Sequence, residues 1–177
     1  MPGWKTLHSK TVYENPFFNV KEDRALNHNG KEITYSYVQM PHPAVTVVAA
    51  NSRNQILLQK NFLYSLKESL WELPSGNTNG EDPLAAAKRK LREDASLESG
   101  DWQLLGETHL ACGIASIHHF LFLARNVSEL PTERSEDEDI SDQHFVEKEL
   151  VSDMLLRNEI TDGDSVIALY KYLDLRV

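Results

Sequence analysis

Residues 71–97 read WELPSGNTNGEDPLAAAKRKLREDASL, and the organisation of the chain can be worked out from them. Trp71-Glu72-Leu73 has strand character, Pro74-Ser75-Gly76 breaks it, and Asn77 to Gly80 forms a short Gly/Asn loop. Pro83 suits the first turn of a helix, and PLAAAKRKLRED is dense in good helix formers, so a helix is predicted from there. Leu84, Ala87, Leu91 and Ala95 recur at spacings of three and four and define its buried stripe. Lys90, Glu93 and Asp94 are related by the same spacings and are predicted to share the face opposite that stripe. A loop-helix unit of this shape aims loop carbonyls and helix carboxylates at one point, which is what an octahedral Mg²⁺ needs.

Upstream, TVYENPFFNVKEDRAL (11–26) is aromatic and β-branched, His28-Asn29-Gly30 is a turn, and KEITYSYVQM (31–40) alternates polar with apolar. Asn-Gly between such segments predicts a hairpin. PAVTVVAAN (43–51) is an almost wholly apolar run, consistent with a strand covered on both faces, and QILLQKNFLY (55–64) is its expected partner. Downstream, 102–111 and 117–126 read as strands, TERSEDEDISD (132–142) as an acidic loop, and QHFVEKEL as a last strand. SDMLLRNEI is expected to start a short helix on a Ser-Asp cap, and DSVIALYKYLDL (164–175) is an amphipathic closing helix. This order predicts a mixed α/β (α+β) chain, with residues 1–41 as an N-terminal antiparallel strand region and 42–177 as the main domain.

The chain of 177 residues carries a net charge of −9, which argues against nonspecific nucleic-acid binding because no basic stripe is present to displace phosphate counterions. No apolar stretch approaches the ~20 residues needed to span a bilayer, so no membrane partner is expected. The N-terminus MPGWKTLHSK lacks the apolar core of a signal peptide. The single cysteine, Cys112, cannot close an internal disulfide, and a cytoplasmic location is expected. Cys112 reads as a small strand-end residue, since no catalytic cysteine signature surrounds it. A zinc site from His109, His118, His119 and Cys112 is disfavoured, because adjacent histidines in a strand point to opposite faces and no spacing matches a structural zinc site.

The stretch 71–97 resembles the Nudix box, G-x5-E-x7-R-E-U-x-E-E-x-G-U with U aliphatic, and WELPSG resembles the lead-in of the ADP-ribose pyrophosphatase branch. Gly76 matches the first glycine, Glu81 the next glutamate, Arg89 the arginine, Leu91 and Leu97 the aliphatic positions, and Glu93 the first of the paired acids. The likeness runs over most of the chain. It implies a Nudix fold, a mixed β-sheet sandwiched between helices, over 42–177, with an N-terminal strand region that exchanges across a homodimer. It also implies a hydrolase acting on acid anhydrides with Mg²⁺ (or Mn²⁺), cleaving a nucleoside diphosphate-sugar such as ADP-ribose. The alternative is a catalytically impaired module that binds the nucleotide-sugar or regulates.

The departures fall within the box. The loop between Gly76 and Glu81 is one residue short, Lys90 stands where the motif has glutamate, Asp94 replaces the second paired acid, and Ser96 replaces glycine. By the resemblance, the metal ligands are Glu93, Asp94 and the carbonyl of Ser75. Glu72 corresponds to a position that contacts the adenosine or ribose end, its alternative being an outward strand residue. Glu133, Glu136 and Glu138 are candidates for the base that activates water, with Glu136 and Glu138 nearest the expected place. Glu81 and Arg89 read as a structural ion pair bracing the loop on the helix. Lys90 has two readings: an i, i+4 pair with Asp94 on the helix surface, or an ammonium that meets a substrate phosphate. Exchanging a carboxylate for a cation opposes metal binding by several kcal/mol at ~4 Å and an effective dielectric of ~20. Phe17, Phe18, Tyr35 and Tyr37 are read either as a base-stacking platform or as dimer packing.

Overall fold

The computed structural model describes residues 3–131 and 139–175. The chain divides into two compact units, residues 1–42 with 109–118, and residues 43–108 with 119–177. In the first, β1 (Lys5–Glu14), β2 (Asn19–Leu26) and β3 (Glu32–Gln39) form an antiparallel meander. The β2–β3 turn is closed by Asn27, whose Oδ1 accepts from Asn29 N at 2.9 Å and Lys31 N at 3.0 Å, with Gly30 at φ +75°. Only a residue without Cβ takes that φ at little cost, which is why the Asn-Gly signal was decisive. Ala115 and Ser116 extend this unit by pairing in parallel with Val38 and Gln39.

The second unit is layered about β4 (Ala44–Ala49). Its residues alternate: Val45, Val47 and Ala49 join a core with Ala86, Ala87 and Leu91, while Val48 joins another with Ala168 and Leu169. The helices supplying these residues are α1 (Pro83–Ala95) and α3 (Gly163–Leu173), so the strand is covered on both faces, as an unbroken apolar run requires. The partners of β4 are β10 (Ala115–Arg125), parallel over His119–Ala124, and β7 (Ser75–Asn77), antiparallel. The result is a mixed α+β architecture with a mixed sheet between helices.

Four local expectations are corrected. β5 (Ile56–Leu63) does not pair with β4 along its length; it lies between β6 (Glu68–Glu72) and β12 (Ile140–Val146), and only Ala50 and Ile56 bridge. A four-residue turn brings the chain back, but the strand's own apolar residues, Ile56 and Leu58 on one face and Leu57 on the other, are buried in a different sheet. Pro74 interrupts the strand for a jog only, because pairing resumes at Ser75 opposite Thr46. The acidic loop ends earlier than its composition indicates, with Ile140 to Asp142 already in β12. Finally, α2 (Lys148–Leu156) starts four residues before the Ser152-Asp153 pair and is preceded by Glu147, which makes no capping hydrogen bond. The remaining elements are the short β8 (Leu97–Glu98) and β11 (Ser128–Glu129), and β9 (Asp101–Leu110), which pairs with β10. No helix among the described residues is long and apolar enough to cross a membrane.

Candidate active site

Helix α1 begins on Asp82, whose Oδ1 accepts from Leu84 N at 3.0 Å and Ala85 N at 3.1 Å, with Pro83 in the first turn. It ends on Ser96 in the left-handed conformation, φ 51°. Ala86, Ala87 and Leu91 are fully buried, and Lys90 and Asp94 are buried beside them. The expectation that 90, 93 and 94 share an outer face is therefore corrected: positions 87, 90, 91 and 94 adjoin around the helix, so a wide buried stripe takes Lys90 and Asp94 in. Glu93 lies on its shoulder, half-buried.

Lys90 Nζ lies 2.8 Å from Asp94 Oδ1 and 3.7 Å from Glu93 Oε2, with only 9% and 2% of the Lys90 and Asp94 side chains exposed. The pair is thus interior rather than on the helix surface. Its depth depends on Gly76. A Cβ there would stand 2.8 Å from Lys90 Cε and 2.9 Å from Cδ, so the lysine stem runs across bare backbone of β7.

Arg89 holds the loop to the helix. Its Nε donates to Glu81 Oε1 at 3.0 Å, Nη1 to Glu93 Oε2 at 3.0 Å, and Nη2 to the carbonyl of Asn77 at 2.9 Å. Glu81 and Glu93 are thereby bridged by one guanidinium, and Glu93 lies between two cations. Ser75 sits in β7, half-buried, one residue before the Gly76 contact. Among the described residues no group of three or more His, Cys, Asp or Glu side chains is arranged to hold a metal ion. An ammonium at the centre of the acids and a guanidinium on their flank are the wrong chemistry for a divalent cation, which takes oxygen ligands. The described donor set does not fit one. Glu133, Glu136 and Glu138 lie outside the described residues.

A second polar group, not singled out from sequence except at Glu72, is buried within the same unit. Glu72 is 7% exposed, which removes the outward-strand reading. Its Oε1 accepts from Asn61 Nδ2 at 3.0 Å. Burial first, then the nearby Asp162 and Asp94 charges, push its carboxyl up to about 7 against the opposing hydrogen bonds from Asn61 and Gln59. Gln59 Oε1 and Asn61 Oδ1 are buried with no hydrogen-bond partner among the described residues. Gln59 and Glu72 are direct cross-strand partners, a register that local sequence does not contain. The signal available was two polar residues, Gln59 and Asn61, at strand spacing within an apolar run.

At the start of α3, Asp164 Oδ2 lies 3.0 Å from His119 Nδ1. Burial, and then Asp162, push Asp164 up to about 6. His118 points the other way and stacks on His109 in the first unit, ring centroids 4.7 Å apart. Cys112 is exposed in the β9–β10 turn rather than at a strand end, its thiol donating to the carbonyl of His109 at 3.4 Å. Of the aromatics, Phe17 is exposed, Phe18 lies against Tyr13, and the Tyr35 hydroxyl donates to Gly113 O at 2.6 Å with Tyr37 alongside.

A loop clamped to a capped helix, under a mixed sheet with helices on both faces, defines the protein. The family model for the NUDIX domain matches residues 40–168, and that for the nucleoside diphosphate sugar hydrolase N-terminal domain matches residues 4–38. The chain belongs to the Nudix family. Within it, the likeness is to the ADP-ribose pyrophosphatases: it is 29% identical to the ADP-ribose pyrophosphatase of Bacillus subtilis over 97% of this chain and 96% of that one. It is also 28% identical to the methanol dehydrogenase activator of Bacillus methanolicus, over 97% and 93% of the two chains. A crystal structure of an ADP compounds hydrolase shares the fold, with TM-score 0.84 and 20% identity over 96% of this chain and 91% of that chain.

Proposed function

We propose that the protein is a Nudix hydrolase that cleaves the pyrophosphate bond of a nucleoside diphosphate-sugar of the ADP-ribose type, with activity below that of a complete Nudix box. The observation that carries this is the Arg89 clamp, which ties Asn77, Glu81 and Glu93 together and keeps the loop-helix unit in place despite its altered acids. Water attacks one phosphorus, the bridging P–O bond breaks, and the products are a nucleoside monophosphate and a sugar phosphate. Glu136 or Glu138 takes the proton of the water, and Glu72 holds the nucleoside end. Lys90 supplies positive charge beside the diphosphate. Members of this family generally use divalent metal ions; here the Lys90 ammonium beside Glu93 and Asp94 opposes one. The functional form is a homodimer built on the N-terminal strand region, residues 1–41.

The test is the double change Lys90→Glu with Asp94→Glu, assayed by chromatography of ADP-ribose and its products with and without Mg²⁺. Hydrolysis should rise at least tenfold, about 1.4 kcal/mol of barrier, and become more dependent on Mg²⁺ than in the parent. A specific observation favours the second reading, a binding or regulatory module: Lys90 and Asp94 are already paired inside the protein, and the likeness to a dehydrogenase activator covers nearly the whole chain. A double variant silent toward nucleotide-sugars, while ADP-ribose still raises the melting temperature, decides for that module.

A further inference from the structure

Away from the α1 site, the second unit contains a half-closed cavity of about 260 Å³ lined by Asn54, Leu123, Arg125, Lys148, Tyr172 and Leu175. From the geometry we infer that it is a binding site for a small phosphomonoester whose organic part is apolar or planar.

Its polar groups converge. Lys148 Nζ stands over the Tyr172 ring, 4.9 Å from the centroid, and Tyr172 lies within the field of Arg125, which acts against the burial that raises its phenol. Two cations and one buried tyrosine thus meet in one concavity of a chain whose net charge is −9. Neither cation is fully neutralised. Lys148 forms no ion pair among the described residues, and Arg125 has Asp101 at 3.5 Å and Gln103 Oε1 as partners, which leaves donors of its five-proton fork over. Like charges facing one space repel, and a dianion placed between them converts that repulsion into attraction. The rest of the lining includes Leu123, fully buried, and Leu175, partly so. Cations and hydrocarbon lining one cavity favour an organic phosphate over inorganic phosphate. The volume sits below the usual ligand range of roughly 300–1,000 Å³, which limits the ligand to one phosphate and a small body.

The site is separate from the α1 region. Tyr172 lies ten residues along α3 from Asp162, roughly 15 Å of helix, and Asp162 is the end that faces Glu72. The inference therefore does not depend on whether the protein hydrolyses anything.

The experiment titrates the full chain with phenyl phosphate, inorganic phosphate and phenol, following backbone amides by two-dimensional NMR. Phenyl phosphate should saturate and shift Asn54, Leu123 and Tyr172, binding more tightly than inorganic phosphate, and phenol should not bind. Lys148→Gln, which removes the charge and ends one atom short of the ammonium, should weaken phenyl phosphate about tenfold, the loss of one charge-assisted hydrogen bond. Arg125→Gln should act in the same direction, and Lys148→Gln alone decides if that variant does not fold. Unchanged affinity in Lys148→Gln, shifts centred on Gly76 and Lys90 instead, or a titration that never saturates would each overturn the assignment.

Discussion

At the level of single residues, the box is altered in ways that have physical partners. Lys90 is tolerated inside the protein because Gly76 has no side chain, because four methylenes can lie along bare backbone, and because Asp94 receives the ammonium at 2.8 Å. Removing either member of such a buried pair leaves an uncompensated charge. The double change to glutamate leaves two carboxylates there without the ammonium, so the variant should be stabilised by Mg²⁺, which supplies the missing positive charge. Ser96 is the opposite case. It stands at the box's glycine position with φ 51°, and its buried hydroxyl has no hydrogen-bond partner among the described residues. Both features cost free energy that glycine would not. Ser96→Gly should therefore stabilise the fold by about 1 kcal/mol, read as a higher urea midpoint with unchanged slope. A lower midpoint would show that the serine side chain makes a compensating contact.

At the level of elements, the pairing of β5 with β6 sets a pH response. It buries Glu72 against Gln59 and Asn61, and the carboxyl is pushed from 4.5 to about 7. Between those values the folded chain holds a proton that the unfolded chain has released. This contribution to stability is thus fully present below about 4.5 and is lost as pH rises through about 7, an effect on the order of 3 kcal/mol before local relaxation. Asp164, raised to about 6, acts in the same direction, although a protonated His119 3.0 Å away would pull it back. Glu72→Gln should flatten the fall in stability between pH 5 and pH 7.5 measured by urea unfolding. A profile as steep as the parent's would mean that Glu72 is ionised throughout.

For the molecule as a whole, the first unit presents apolar side chains to solvent. Every residue of β1 is exposed, with Leu7, Val12 and Tyr13 among its large hydrophobics, and Trp4 and Phe17 beyond its two ends are exposed as well. An exposed edge strand of this kind is normally paired or covered. In the homodimer proposed above, these residues are buried against a second copy. Light scattering should then report twice the 20.2 kDa chain mass, and Val12→Asp with Tyr13→Asp should return it to a single chain. A single-chain mass for the parent at micromolar concentration would refute the dimer.

What the sequence determined by itself was whatever is encoded within a few residues. Asp82 and Pro83 mark the start of α1, Ala87 and Leu91 its buried stripe, Asn29-Gly30 the hairpin, and the run at 44–49 a strand covered on both faces. These are periodicities and turn chemistries set by neighbouring dihedrals, and with the spacing of Gly76, Glu81, Arg89 and Glu93 they sufficed for the family. The tertiary structure decided which strand β5 joins, how wide the buried face of α1 is, and that Glu72 meets Gln59 and Asn61. Each depends on register between segments far apart in the chain and on which surface another element covers. A lysine at position 90 reads as solvated until β7 is laid across its stem, because burial belongs to the packed arrangement and not to the residue.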